Sequence, residues 1–446
     1  MPISPARIAA FDILLRIERE DAFSSELLHS GRYKDLSRAD HALTTELVMG
    51  VLRWRSWLDK GIAASSSQPL HKLDLEVLTS LRLAAYQISS LDRVPHRAAV
   101  HDSVELVKRA RKTSAAPFVN AVLRKLSRNP TKRDLLDHIR SASAAAELAD
   151  ASAHPLWLIE RWIAQYGLDI TRRVCEYNQH VPETAIRLTD AGVENELKSE
   201  GIELASGRLL ASARRVLSSD ITSTRAFRRG AVAIQDEASQ LVAFLAGYGS
   251  HILDCCAAPG GKTRVLAERN PAASITAVES HSHRARLLKK LVPAANVEVI
   301  TADIRELRSE PRFDCVLADV PCCGTGTLAR NPEIKWRLSP SDLPDLQQRQ
   351  LAILQSAMKL VRPGGRLVYS TCSLEHDENS DVIEQVLSSN PSFRLLDCKS
   401  ELERLRRQGE LVWQNLGSLT SNKFLRTLPG LQPCDGFFAC FAECIA

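Results

Sequence analysis

The sequence predicts three regions: an all-α segment over residues 1–140, a linker and small α/β module over 141–232, and a doubly wound α/β domain over 233–446. Three observations carry this. In the first region apolar residues recur at helical spacing, as in Leu78, Leu81, Ala85 and Ile88, or Val100, Val104 and Val107. From about residue 233 short β-rich runs alternate with helical ones, the pattern of βαβ units around a mostly parallel sheet. Between them, residues 141–155 are rich in Ala and Ser and end at His154-Pro155, the composition of a hinge between domains, although Ala-rich sequence can also be helical.

Each element follows from local chemistry. Ser37, with Asp40 three residues on, is placed to cap a long amphipathic helix running toward Trp57. Breaks fall at Gly61 to Pro69, at Val94-Pro95 and near Pro117. Trp54 and Trp57 offer faces for stacking, but core packing is the preferred role. The middle module reads as a helix around Leu156–Tyr166, strands near Thr184–Leu188 and Ala231–Ile234, and a helix at Asn195–Ser199 between them. In the last region the expected strands are Ile252–Cys255, Ser274–Glu279, Val297–Thr301, Cys315–Ala318, Arg366–Ser370 and Phe437–Phe441. Helices such as His283–Leu291 and Leu346–Leu360 fill most of the gaps.

A chain of 446 residues with 44% hydrophobic content is long enough for two or three cored domains. No apolar stretch approaches the roughly 18 residues that a membrane helix needs, and the first residues lack the apolar region of a signal peptide. A cytoplasmic enzyme is the expected class, and nothing demands more than a monomer. None of the 11 cysteines precedes Cys175, and no Cys-x₂-Cys pair occurs, so neither a disulfide scaffold nor a structural zinc or other metal site is expected. Cys175, Cys315, Cys398, Cys440 and Cys444 read as small buried hydrophobes. Net charge is only +5, but residues 1–140 hold 23 Lys/Arg against 16 Asp/Glu. Lys108-Arg109-Ala-Arg111-Lys112 and Arg124-Lys125-Leu-Ser-Arg128 are either phosphate-tracking clusters or solvated helix faces.

The chemistry gathers at three strand ends. Asp254-Cys-Cys-Ala-Ala-Pro-Gly-Gly-Lys262 follows Ile252 and Leu253, and places a small-residue turn where a doubly wound sheet binds nucleotide-like ligands. Cys256, Ala258 and Gly260 stand roughly where a dinucleotide loop has its glycines, so backbone approach is kept but the pyrophosphate cradle is not. S-adenosylmethionine, which has no phosphate, therefore fits better than NAD. The turn Cys256, Ala257, Ala258, Pro259, Gly260, Gly261 and Lys262 is the expected cofactor loop, its helix N-terminus favouring the methionine carboxylate. Lys262 either adds charge there or reaches the target base. Glu279 ends the next strand at a distance suited to ribose hydroxyls, and Asp303 follows the third.

Two cysteines follow later strands: Cys322 in Asp319-Val-Pro-Cys-Cys-Gly and Cys372 in Tyr369-Ser-Thr-Cys-Ser. Cytosine C5 is a poor nucleophile until a thiolate adds at C6, so methyl transfer there needs a cysteine, an acid at the N3 edge and a base for release. Asp319 supplies the acid and would hold the base through N3 and its amino group. Chemistry alone leaves the two cysteine roles even. Cys255 and Cys323 read as packing neighbours.

Asp-x-x-Ala-Ala-Pro-Gly-Gly-Lys, Asp-x-Pro-Cys and Tyr-Ser-Thr-Cys-Ser resemble the RNA cytosine-5 methyltransferases, and most nearly the bacterial small-subunit ribosomal RNA methyltransferase B (Sun/Fmu) family. Gln235-Asp-Glu-Ala-Ser-Gln240, Gly324-Thr-Gly-Thr, Asn331-Pro-Glu-Ile-Lys-Trp336 and Asp435-Gly-Phe-Phe438 add to the resemblance. It implies a NusB-like helical RNA-binding domain, an RRM-like module and a Rossmann-like S-adenosylmethionine-dependent methyltransferase domain acting on ribosomal RNA. It also implies that Cys372 attacks, Cys322 serves product release and Asp303 binds the adenine amino group. Lys335 and Arg337 are expected beside the RNA channel, and Phe437 and Phe438 in a buried final strand.

Two alternatives stay open: the same chemistry on transfer RNA or large-subunit RNA, and a non-catalytic NusB-like RNA-binding or assembly factor. Presence of both cysteines, Asp319, Lys262 and the acids favours an active enzyme.

Overall fold

A computed structural model describes residues 3–20, 22–128, 135–190, 192–218, 220–308 and 313–445. The chain divides into two compact units: residues 1–181 together with 328–337, and residues 182–327 together with 338–446.

The first unit is helical. The helix Arg38–Arg53 begins where expected, with Ser37 Oγ accepting the Asp40 N–H at 3.1 Å, but it breaks at Trp54 before restarting at Arg55. Trp54 is buried with Phe11, Leu47, Leu58 and Leu81 in the core, as packing required. The two basic clusters are less available than their composition implies. Arg109 pairs with Asp12 at 2.8 Å, Lys108 with Glu105 at 2.7 Å and Lys112 with Asp74 at 3.0 Å, while Lys125 donates to the Ala64 carbonyl at 3.1 Å. Arg124 and Arg128 are exposed.

The expected hinge is instead helical and packed. Ala145–Ala151 forms a helix that buries Leu148, and the chain after it continues into helices Leu156–Tyr166 and Leu168–Gln179 of the same unit. Residues 141–181 thus pack with the first unit and 182–232 with the second, rather than together as one middle module. Ala-rich sequence has high helix propensity, and here Leu148 gives it an apolar side to bury.

A larger correction concerns Leu328–Arg337. Lys335 lies in no channel; it is 1% exposed within the first unit, its Nζ donating to the carbonyls of Arg53 (2.8 Å) and Ala153 (2.9 Å). Arg337 donates to the carbonyls of Ile17 and Ala22, Trp336 to that of Leu52, and Glu333 accepts from Ser24. A charged side chain in this sequence context reads as surface, yet backbone carbonyls from two helix ends give the ammonium partners that sequence cannot show.

The second unit opens with a four-stranded antiparallel sheet, β1 (Thr184–Leu188), β2 (Leu204–Ser206), β3 (Ala213–Val216) and β4 (Val232–Ile234), in the order β2-β3-β1-β4. The large sheet follows with β5 (His251–Asp254), β6 (Ser274–Glu279), β7 (Val297–Thr301), β8 (Phe313–Asp319), β9 (Val361–Thr371), β10 (Phe393–Leu396), β11 (Thr420–Ser421), β12 (Phe424–Thr427) and β13 (Phe437–Cys444). Its order is β11-β12-β13-β9-β8-β5-β6-β7, with β10 also on β13. Strands β5 to β9 run parallel and β13 antiparallel to β9. Chain order reverses between β5 and β8, the position at which open α/β sheets bind ligands beyond their strand ends.

Candidate active site

The site is built where β5, β6, β8 and β9 end. Asp254 closes β5, and the turn after it is pinned by Cys255 N–H to Leu317 O (2.8 Å) and Ala257 N–H to Val278 O (2.9 Å). Gly260 has φ +113°, and a Cβ there would lie 2.6 Å from both Leu288 Cδ1 and Val292 Cγ2. Glycine is thus required both by conformation and by helix Ser282–Leu291 packing against the turn. Helix Gly261–Arg269 starts immediately after.

Asp254 is buried. Its Oδ2 accepts Thr263 Oγ1–H at 2.7 Å, while Oδ1 meets no donor at bonding geometry. Burial, opposed by the Thr263 bond and reinforced by Asp319, pushes its carboxyl up to about 7. Glu279 accepts the His281 N–H at 2.9 Å and faces Arg284 at 3.8 Å, and Arg284 also donates to Ala258 O at 3.1 Å. Burial alone would raise the Glu279 carboxyl, but the His281 amide and Arg284 hold it below its usual range. Asp303 follows β7, but its carboxylate is gripped by Arg305 through Nε at 2.9 Å and Nη2 at 2.5 Å, which lowers it. The thiol of Cys256 is raised first by burial and then by the combined field of Asp254, Asp319, Glu279 and Asp303.

The second half of the site comes from strand register. Asp319 on β8 is the register partner of Ser370 on β9, and Val320 N–H to Ser370 O (3.0 Å) continues the pairing. Three residues past Asp319 and two past Ser370, the two loops bring Cys322 Sγ within 3.4 Å of Cys372 Sγ. The contact with Cys372, then burial, raises the Cys322 thiol well above its ordinary value. Asp319 Oδ2 pairs with Lys262 Nζ at 2.7 Å, and Oδ1 accepts Ser370 Oγ–H at 2.6 Å. Burial pulls the Lys262 ammonium down, but Asp319 first, with Cys372 and Asp254, offsets it, so the net direction is up. Lys262 Nζ also lies 5.0 Å from the centre of the Phe437 ring.

The Cys372 loop is held by backbone contacts that explain two glycine motifs. Gly326 N–H donates to Cys372 O and Gly436 N–H to Gly326 O, each at 2.8 Å. A Cβ on Gly326 would lie 2.1 Å from Gly436 O. Phe437 and Phe438 are buried at the start of β13, as expected. Cys255 and Cys323 are buried neighbours, their thiols raised chiefly by burial. Among the described residues no cluster of three or more His, Cys, Asp or Glu could hold a metal.

Sequence reasoning missed Asp254 itself as a site group, along with Ser370 and Arg284. Asp254 and Ser370 carried a signal, each lying inside a quoted motif at the end of an expected strand; Arg284 carried none.

Residues 245–442 match the family model described as 16S rRNA methyltransferase RsmB/F, and residues 4–128 that of the NusB family. The probable ribosomal RNA small subunit methyltransferase B of Bacillus subtilis (strain 168) is 33% identical over 99% of each chain. The ribosomal RNA small subunit methyltransferase B of Vibrio cholerae is 30% identical over 90% of this chain and 88% of its own. In fold, the solved structure of PH0851 superposes with a TM-score of 0.82 at 24% identity over 99% of each chain. That of NSun6 from Pyrococcus horikoshii with SFG gives 0.55 at 18% identity, over 64% of this chain and 97% of its own.

Proposed function

Because the chain belongs to the family of RsmB/F 16S rRNA methyltransferases, we propose that it transfers a methyl group from S-adenosylmethionine to C5 of a cytosine in small-subunit ribosomal RNA. The observation that carries the cytosine-C5 reading is the 3.4 Å approach of Cys322 and Cys372 beside an Asp319 held by Lys262 and Ser370. Two thiols and an acid at one point are what addition to C6 and later elimination require.

The acidic turn suits the cofactor. S-adenosylmethionine carries positive sulfonium and ammonium groups, and when bound supplies the electrophilic methyl. Asp254, whose Oδ1 is buried and unbonded, faces the ammonium in this reading, Glu279 the ribose and Asp303 the adenine amino group, with residues Cys256 to Gly261 lining the turn. Asp303 would have to share its carboxylate with Arg305. The ion pair to Asp319 favours Lys262 acting at the target base rather than at the cofactor carboxylate.

Cys372 gives up its thiol proton to solvent and bonds through Sγ to C6, while Lys262 steadies the negative charge that moves toward N3 and Asp319 holds the base by accepting from its amino group. C5 then takes the methyl group that the bound cofactor supplies, the sulfonium S–CH3 bond breaking to leave S-adenosylhomocysteine. Cys322 removes the C5 proton, the S–C6 bond breaks and Cys372 is regenerated. The contact that raises the Cys322 thiol most is its hydrogen bond to Cys372. Once Cys372 Sγ is bonded to C6 it no longer carries a charge that opposes the Cys322 thiolate, while burial still does. The helical residues 1–140 serve as the RNA-binding domain, the strands within 141–232 as an RRM-like module and 233–446 as the catalytic domain. Bisulfite sequencing of ribosomal and transfer RNA from a deletion strain tests this. One lost cytosine mark in small-subunit RNA is expected; a lost mark in transfer RNA, or none, overturns it.

A further inference from the structure

Gln350, Glu378 and Asn379 are buried side chains that lie outside the residues assigned to the reaction, yet they grip both cysteine loops. Gln350, in helix Asp342–Met358, donates from Nε2 to Pro321 O at 3.0 Å and to Glu378 Oε1 at 2.7 Å. Glu378 Oε1 also accepts the Cys323 N–H at 2.9 Å. Cys322 is thereby held from both flanking residues. Asn379 does the same for Cys372: its Oδ1 accepts Thr371 Oγ1–H at 2.5 Å and its Nδ2 donates to Ser373 O at 2.9 Å. Glu378 and Asn379 are adjacent in the chain, and Tyr369 Oη–H, from β9, donates to the Glu378 carbonyl at 2.6 Å.

We propose that Gln350, Glu378 and Asn379 form a bracket that sets the spacing of Cys322 and Cys372, making them positioning residues for the two-cysteine reaction. The inference rests on the cytosine-C5 reading above for its catalytic meaning, but not for its geometry. Ordinary loop anchoring would be met by backbone bonds or by side chains at the surface. Here a carboxylate is fully buried with its second oxygen, Oε2, unbonded, and the Gln350 Oε1 is unbonded too. Such groups are costly to bury, so their retention between the two loops points to a geometric task. A misplacement of about 1 Å of reacting groups costs on the order of 100-fold in rate, which makes a fixed sulfur spacing consequential.

The spacing is read directly with phenylarsine oxide on the full-length protein. Arsenic bonds to both sulfurs, the two thiol protons leave with the arsenical oxygen as one water, and arsenic stays trivalent. Intact mass and protection of Cys322 and Cys372 from alkylation report the capture, and Cys322→Ala is the control that loses it. Wild type should capture one equivalent at this pair. Asn379→Ala and Glu378→Ala should capture roughly tenfold or more slowly, while single-turnover methylation falls about 100-fold and the Kd for S-adenosylmethionine stays within about threefold. Glu378→Gln keeps an oxygen acceptor for Cys323 and should retain most of the capture. Should the alanine variants fail to fold, Asn379→Asp, which keeps the Thr371 bond but loses the donor to Ser373, carries the test with an intermediate loss. Unchanged capture in folded variants overturns the bracket, as does lost methylation with full capture. Wild-type capture without any RNA methylation would instead overturn the functional reading and leave the bracket standing.

Discussion

Ser370 donates its hydroxyl to Asp319 at 2.6 Å because the two are register partners on adjacent parallel strands. The same register sets the start of both cysteine loops, so one strand pairing fixes the acid and the two thiols together. Shifting it by one residue would turn Ser370 to the other face of the sheet.

Removing that hydroxyl isolates its contribution. Ser370→Ala should lower single-turnover methylation by roughly 10- to 150-fold, since a hydrogen bond to a charged group is worth about 1.5–3 kcal/mol and each 1.36 kcal/mol is about tenfold. Cofactor affinity, measured by calorimetry, should not move. A rate within twofold of wild type would show that Lys262 alone orients Asp319.

The two cysteines should separate by adduct. Cys372→Ala is expected to abolish methyl transfer and leave no covalent protein–RNA complex. Cys322→Ala should attack and methylate, then stall, accumulating a denaturant-resistant adduct on a gel with substrate RNA and S-adenosylmethionine. Adduct from the first variant and none from the second would reverse the roles.

Asp254 gives cofactor binding a pH signature. Its carboxyl is raised to about 7, and a cation beside Oδ1 favours the ionised form, so binding should release a proton. Affinity for S-adenosylmethionine is expected to rise with pH up to about 7, by at most about tenfold per unit, and then level off. Asp254→Asn should bind more weakly and without that slope. A slope that survives the substitution belongs to another group.

The helical unit should lose stability in mild acid through His154. The imidazole is buried, with Nδ1 facing Ser152 O at 2.7 Å and Nε2 facing Asn178 Nδ2 at 3.2 Å, an arrangement that uses the neutral ring. Burial first, then Lys335, holds its pKa well below 6.5. Above 6.5 the ring is neutral in both states and its stability contribution is complete. As pH falls below that, the unfolded chain takes up a proton the folded one refuses, and stability is lost. Denaturant titrations from pH 7.5 down to 5 should show a shallower fall in His154→Gln than in wild type. Equal slopes would remove His154 as the cause.

The sequence by itself determined what depends on neighbours in the chain. Short β-rich runs alternating with helical ones located β5 to β9 and β13, and a Ser37 cap started its helix where it should. The turn after Asp254, the acids at strand ends and the two cysteines were legible because each follows its own strand. Strands β2, β3, β10, β11 and β12 were not, being too short to carry a pattern: β2 with β3 and β11 with β12 pair nearby in the chain, and β10 pairs with the distant β13. Tertiary structure alone decided the burial of Lys335 on the carbonyls of Arg53 and Ala153, the packing of residues 141–181, the Ser370–Asp319 bond and the grip of Gln350, Glu378 and Asn379. For the three polar cases the reason is common. A polar side chain buries itself only where another part of the chain meets its hydrogen bonds, and that partner is chosen by the fold, not by the residues beside it.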